Sequence, residues 1–139
     1  MNDSDLFATI LLLTPINISM SESIMDVTIF HNPRCSKSRQ TLQLIQEQGI
    51  EPTIRLYLED CPSAKEIKEI LAKLNISPRE LLRKGEDAYK ENQLSNKELS
   101  DAALIKAMVE FPKLIERPIV IKGNQAKLGR PPEQVLEIL

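Results

Sequence analysis

The stretch His31-Asn32-Pro33-Arg34-Cys35-Ser36-Lys37-Ser38-Arg39 decides how this chain is read. A β-branched run, Val27-Thr28-Ile29-Phe30, precedes it, and Leu42, Leu44 and Ile45 follow. That is the pattern of a strand, a turn and a helix, with Cys35 where the helix begins. Pro33 favours a turn and biases Asn32 toward extended backbone, so the strand stops there. Cys35 or Ser36 serves as the cap, and Gly49 closes the helix.

The position of Cys35 matters because the thiolate, not the thiol, is the nucleophile. A free cysteine with a pKa of ~8.5 is only a few per cent ionised at neutral pH. At a helix start, unpaired N–H groups and the positive dipole end favour the anion. Arg34, Lys37 and Arg39 add positive charge nearby, and the Ser36 and Ser38 hydroxyls are potential donors. The run is polar and cationic, unlike the apolar setting of a cysteine that merely fills core space. It reads as a reactive thiol.

Composition sets the outer limits. The 139 residues suit one domain, and 42% hydrophobic with 27% charged content is ordinary for a globular protein. A formal net charge of −2 gives no broad attraction to nucleic acid or to an acidic membrane, so a cationic site must be local. Two cysteines and a single histidine exclude a disulfide scaffold and leave few ligands for a metal. Cys35 and Cys61 form no C-x-x-C pair, since Ser38 stands three residues after Cys35. A lone thiol among cations fits the reducing cytoplasm.

Residues 1–25 differ from the remainder. Phe7 to Leu13 is mostly apolar but too short for a membrane span of ~20 residues. Asp3 and Asp5 stand where a signal peptide carries basic residues. The segment reads as a loosely attached N-terminal extension or as the product of an upstream start, and residues 26–139 as the domain.

Within that domain, Thr53 to Tyr57 alternates as a second strand, so β-α-β implies a parallel pair with a right-handed crossover. Ser63-Ala64-Lys65-Glu66 is a capping box, and Ile67, Ile70, Leu71 and Leu74 share one helical face. Ser77-Pro78-Arg79-Glu80 starts a short helix, residues 86–99 form short helical turns, and Ser100-Asp101 caps a helix bearing Leu104, Ile105 and Met108. Ile119 to Ile121 and Gln125 to Leu128 flank a Gly123-Asn124 turn as a hairpin. A last helix follows Pro132, with Val135, Leu136 and Leu139 on one side.

A β-α-β half with a cysteine at its helix, then a β-β-α half, resembles the thioredoxin or glutaredoxin fold: an α/β mixed sheet, here with an inserted helical segment. Over residues 26–139 the chain resembles, more specifically, the arsenate reductases that work with glutathione and glutaredoxin. The matching motifs are His31 to Arg39, Leu81-Leu82-Arg83-Lys84, Glu116-Arg117-Pro118-Ile119-Val120 and Gly129-Arg130-Pro131. Arg34 departs from relatives that carry an uncharged residue there.

The resemblance implies that Cys35 is the nucleophile and that Arg83, Arg117 and Arg130 bind the oxyanion and its cysteine adduct. His31 and Ser38 help to ionise the thiol, and Pro118 is the cis-proline facing the cysteine. No bound cofactor or metal is implied. The resemblance further implies arsenate as the substrate, glutathione as the co-substrate and glutaredoxin as the protein partner. Guanidinium suits this task, because it stays charged and offers a planar fork to a tetrahedral anion. Two other readings share the thiol: a glutathione-dependent thiol oxidoreductase without arsenate activity, and a redox-sensing regulator that binds RNA polymerase. Ser38 counts against the second, which uses a C-x-x-C switch.

Overall fold

The computed structural model describes residues 26–139. The expectation for residues 1–25 lies outside them. Among the described residues the chain runs through β1 (Val27–Phe30), α1 (Ser36–Glu47), β2 (Thr53–Arg55), α2 (Ala64–Leu74), α3 (Pro78–Leu81), α4 (Asp87–Glu91), α5 (Asp101–Glu110), a short 3-10 turn (Pro112–Leu114) and β3 (Ile119–Lys122). Strand β4 (Gln125–Leu128) and a 3-10 helix, Pro132–Ile138, complete it. The sheet runs β2-β1-β3-β4, with β1 parallel to β2 and antiparallel to β3, and β3 antiparallel to β4.

Strand alternation sorts side chains onto two faces. Val27 and Ile29 of β1 and Val120 of β3 pack with Ile45 of α1 and with Val135 and Ile138 of the 3-10 helix. Phe30 and Ile119 point the other way, into a larger core built with Ile67, Ile70 and Leu71 of α2 and Leu104 and Met108 of α5. Each such buried aliphatic side chain contributes about 1.5–3 kcal/mol. The inserted helices therefore cover one face, and α1 with the C-terminal segment covers the other.

The caps follow the sequence. Ser63 and Glu66 exchange reciprocal hydrogen bonds, both at 3.2 Å, and Ser77 and Glu80 do the same at 3.3 and 2.8 Å. Gly49 takes φ of +79° just beyond α1, as its terminating role requires.

Two elements differ from the reading of the sequence. The second strand stops at Arg55 rather than Tyr57, because the Leu56 carbonyl accepts from Glu59 N–H and Asp60 N–H in a turn. Tyr57 is instead fully buried, its ring stacked with Phe30 at 6.1 Å. The last helix is 3-10, with three residues per turn, so Pro132, Val135 and Ile138 form the buried stripe and Leu136 faces outward.

One short backbone link positions the site. Leu82 pairs with Ile115 as an isolated bridge, with Arg83 N–H on the Leu114 carbonyl at 2.7 Å and Glu116 N–H on the Leu81 carbonyl at 2.9 Å. This ties the end of the inserted helices to the segment entering β3, and so brings Arg83 to Glu116 and Arg117.

Candidate active site

Cys35 is the N-cap of α1, half-buried, with extended backbone (φ −94°, ψ 123°). It makes no side-chain capping bond, so the first-turn N–H groups stay available to an anion. Burial alone pushes the thiol pKa up. The backbone N–H groups of Ser38 and Lys37 and the Arg117 guanidinium outweigh that, and the net shift is downward. Arg130 Nη2 also reaches the sulfur, at 3.7 Å. Arg117, brought across the fold, thus lowers the pKa, and Arg130 is the cation in contact with the sulfur. Arg39 is engaged elsewhere, donating to the Pro33 carbonyl at 2.8 Å.

Ser38 and His31 act on the loop. Ser38 is fully buried; its Oγ accepts from Asn32 N–H at 3.0 Å and lies 2.7 Å from His31 Nδ1. Its hydroxyl is committed there, and its contribution to the sulfur comes through its main-chain N–H. His31 is buried, and burial, helped by Arg39, holds its pKa below the ordinary value, which favours the neutral ring. His31 therefore braces the turn through Ser38 rather than adding a positive charge beside the thiol. Asn32 Oδ1 accepts from Arg34 N–H at 3.0 Å, completing the turn.

Arg117 and Arg130 reach the cysteine from distant parts of the chain, and two carboxylates, Glu116 and Glu86, tie them to Arg83. Glu116 Oε1 accepts from Arg83 Nη1 at 2.7 Å and forms an ion pair with Arg130, 3.1 Å from its Nε, whose N–H is donated to the Arg117 carbonyl at 2.8 Å. Glu86 accepts from Arg83 Nε at 3.2 Å and lies 4.0 Å from Arg117 Nη1. Three guanidiniums against two carboxylates leave one positive charge for the thiolate. Arg117 is the least satisfied of the three: its Nε is buried without a hydrogen-bond partner. A buried donor left unpaired costs about 1–3 kcal/mol.

Pro118 follows Arg117 through a cis peptide bond, and Arg130–Pro131 is cis as well. Gly129 lies against the first of these prolines. A Cβ there would overlap Thr41 Oγ1 and sit 2.7 Å from Pro118 Cγ. Gly129 thus lets the loop carrying Arg130 close onto α1. Glu116 stands inside a motif already noticed, but its role depends on contacts between distant segments. Tyr57 gave no signal either; burial pushes its pKa up to about 12, so it stays neutral.

Among the described residues, no group of three His, Cys, Asp or Glu is placed to hold a metal ion, and no helix is long and apolar enough to cross a membrane. Both cysteines are free, and Cys61 is exposed.

These features define a thioredoxin-like domain with a single-cysteine, arginine-rich site at the start of its first helix. The chain belongs to the ArsC family, whose model matches residues 30–138. It is 53% identical over 116 residues to an arsenate reductase of Haemophilus influenzae, covering 83% of this chain and all of that one. It is 55% identical over 114 residues to the uncharacterized protein YfgD of Escherichia coli strain K12, covering 81% and 96%. A solved arsenate reductase structure from Vibrio cholerae matches with a TM-score of 0.81 at 54% identity, over 83% of this chain and 98% of that one.

Proposed function

We propose that this protein reduces arsenate to arsenite, with glutathione and glutaredoxin as the thiol donors. The observation that carries the reading is a sulfur with lowered pKa beside Arg130, under an Arg117 whose buried Nε has no partner. The arsenate reductases among the relatives supply the substrate class.

Arsenate docks on Arg117 with Arg130 and Arg83 around it, and the Cys35 thiolate bonds to arsenic as one oxygen leaves as water. Glutathione's thiol replaces a second oxygen, again released as water. The glutaredoxin thiolate then attacks the glutathionyl sulfur. The arsenic–sulfur bond breaks, its electron pair stays on arsenic, and arsenic(V) becomes arsenic(III) as two thiols become one mixed disulfide. Water hydrolyses the bond between Cys35 and arsenic, which frees arsenite and restores the thiol. With Ser38 in place of a second cysteine, the electrons come from outside the chain.

The test is arsenate-dependent NADPH oxidation with glutathione, glutaredoxin and glutathione reductase. Wild-type protein is expected to show a rate that Cys35→Ser abolishes and Arg117→Gln or Arg130→Gln cuts severely. A wild-type protein with no arsenate-dependent rate overturns the substrate. A rate indifferent to both arginines points instead to general thiol exchange.

A further inference from the structure

A cavity of about 450 Å³ opens beside the cysteine loop, walled by Pro33 and Arg34 on that loop and by Arg117. Leu58, Glu59 and Lys113 also line it. That volume falls in the range that holds small organic ligands, roughly 300–1,000 Å³, and far exceeds a tetrahedral oxyanion. Arg117 belongs to the anion site already described. The remaining space has no assigned occupant.

Its unpaired charges describe that occupant. Arg83, Arg117 and Arg130 are each tied to Glu86 or Glu116, and Arg55 to Asp60 and Glu66. Arg34, Lys113 and Glu59 form no ion pair among the described residues, although all three line one cavity. Two open cations and one open anion, with an apolar wall at Pro33 and Leu58, complement a small molecule with two carboxylates, one ammonium and a short apolar middle. Glutathione has that distribution: an ammonium and a carboxylate on its glutamyl end, a carboxylate on its glycine end, and its thiol between.

We infer that this cavity is the docking pocket for glutathione, with Arg34 and Lys113 receiving its carboxylates and Glu59 its ammonium. The inference rests on the proposed use of glutathione as co-substrate, and adds where it binds and what distinguishes it from other thiols. The charged ends seat the tripeptide so that its sulfur faces the group carried by Cys35. Arg34 then acts on the thiol donor rather than on arsenate.

The experiment needs no arsenate, so it can fail separately from the substrate assignment. In a Cys61→Ser background, the Cys35 thiolate is reacted with glutathione disulfide or with uncharged hydroxyethyl disulfide. Cys35 sulfur bonds to one sulfur of the reagent, the reagent's S–S bond breaks, and the other half leaves as a thiolate that takes a proton from water. The readout is the ratio of the two rate constants, which cancels changes in thiol ionisation and in folding.

Arg34→Glu and Lys113→Glu are each expected to lower that ratio about tenfold, the size of one lost exposed attraction plus one new repulsion. Glu59→Lys decides the matter. Glutathione disulfide is a net anion, so plain electrostatic steering makes Glu59→Lys raise the ratio, whereas loss of the ammonium partner lowers it. A lowered ratio in all three variants supports the pocket. A raised or unchanged ratio in Glu59→Lys, or unchanged ratios in the other two, overturns it, whether or not the protein reduces arsenate.

Discussion

Replacing Glu116 by alanine removes one carboxylate oxygen that accepts from Arg83 Nη1 at 2.7 Å and Arg117 N–H at 3.2 Å and forms an ion pair with Arg130 Nε at 3.1 Å. Charge-assisted hydrogen bonds of buried groups contribute about 1.5–3 kcal/mol each, and exposed ion pairs only ~0.2–1 kcal/mol. The side chains here are 23% exposed at Arg83, 24% at Glu116 and 34% at Arg130, between those limits. The two hydrogen bonds and the ion pair also share one oxygen, so their sum is about 2 kcal/mol. On a domain of this size that lowers Tm by about 8 °C. Glu116→Gln separates geometry from charge, since the amide oxygen still accepts while the negative charge is gone. Phosphate, a tetrahedral anion that cannot be reduced, serves as the probe in calorimetry. Glu116→Gln is expected to bind it about two- to fivefold more tightly, through loss of one repulsion at a partly wet site. Glu116→Ala carries the same charge and is expected to bind more weakly than Glu116→Gln, because its arginines are no longer held. Equal affinities and equal stabilities in the two variants would refute the idea that Glu116 organises the cations.

Three further outcomes can be checked by denaturation. Gly129→Ala forces Thr41 and Pro118 apart and is expected to destabilise by about 1–3 kcal/mol in urea titration, with reduced activity because Arg130 is adjacent. Ser63→Ala removes the α2 capping box, in which the Ser63 side chain bonds only within its own helix start; it should cost about 1 kcal/mol with activity intact. His31 has a folded pKa below 6.5, so its contribution to stability is fully present above 6.5 and is lost as pH falls from there through its folded pKa. Stability measured across that acid range is expected to slope less in His31→Asn than in wild type.

What the sequence carried and what it withheld differ physically. The helix starts were legible because capping is local: Ser63 and Glu66, or Ser77 and Glu80, lie three residues apart and answer each other. The β-α-β order and the hairpin were legible because strand period and turn chemistry are local too. The 3-10 form of the last helix was not, since the spacing of Val135 and Ile138 also fits an α-helix, and packing against α1 decides. At the site, Cys35 and the three arginines were found through motifs. The carboxylates were not, because Glu116 acquires its role from a bridge between Leu82 and Ile115, residues 33 positions apart. The charges beside Cys35 in sequence also proved a poor guide to the charge beside its sulfur. At a helix cap, side chains one or two residues away diverge, while Arg117 arrives across the fold.

The direct measurement is therefore the ionisation of Cys35, followed by thiolate ultraviolet absorbance against pH in a Cys61→Ser background, with and without Arg117→Gln. A midpoint below the ~8.5 of a free cysteine, moving upward when Arg117 is replaced, agrees with a thiolate held by the fold. A midpoint at or above ~8.5, or one that ignores Arg117, contradicts it.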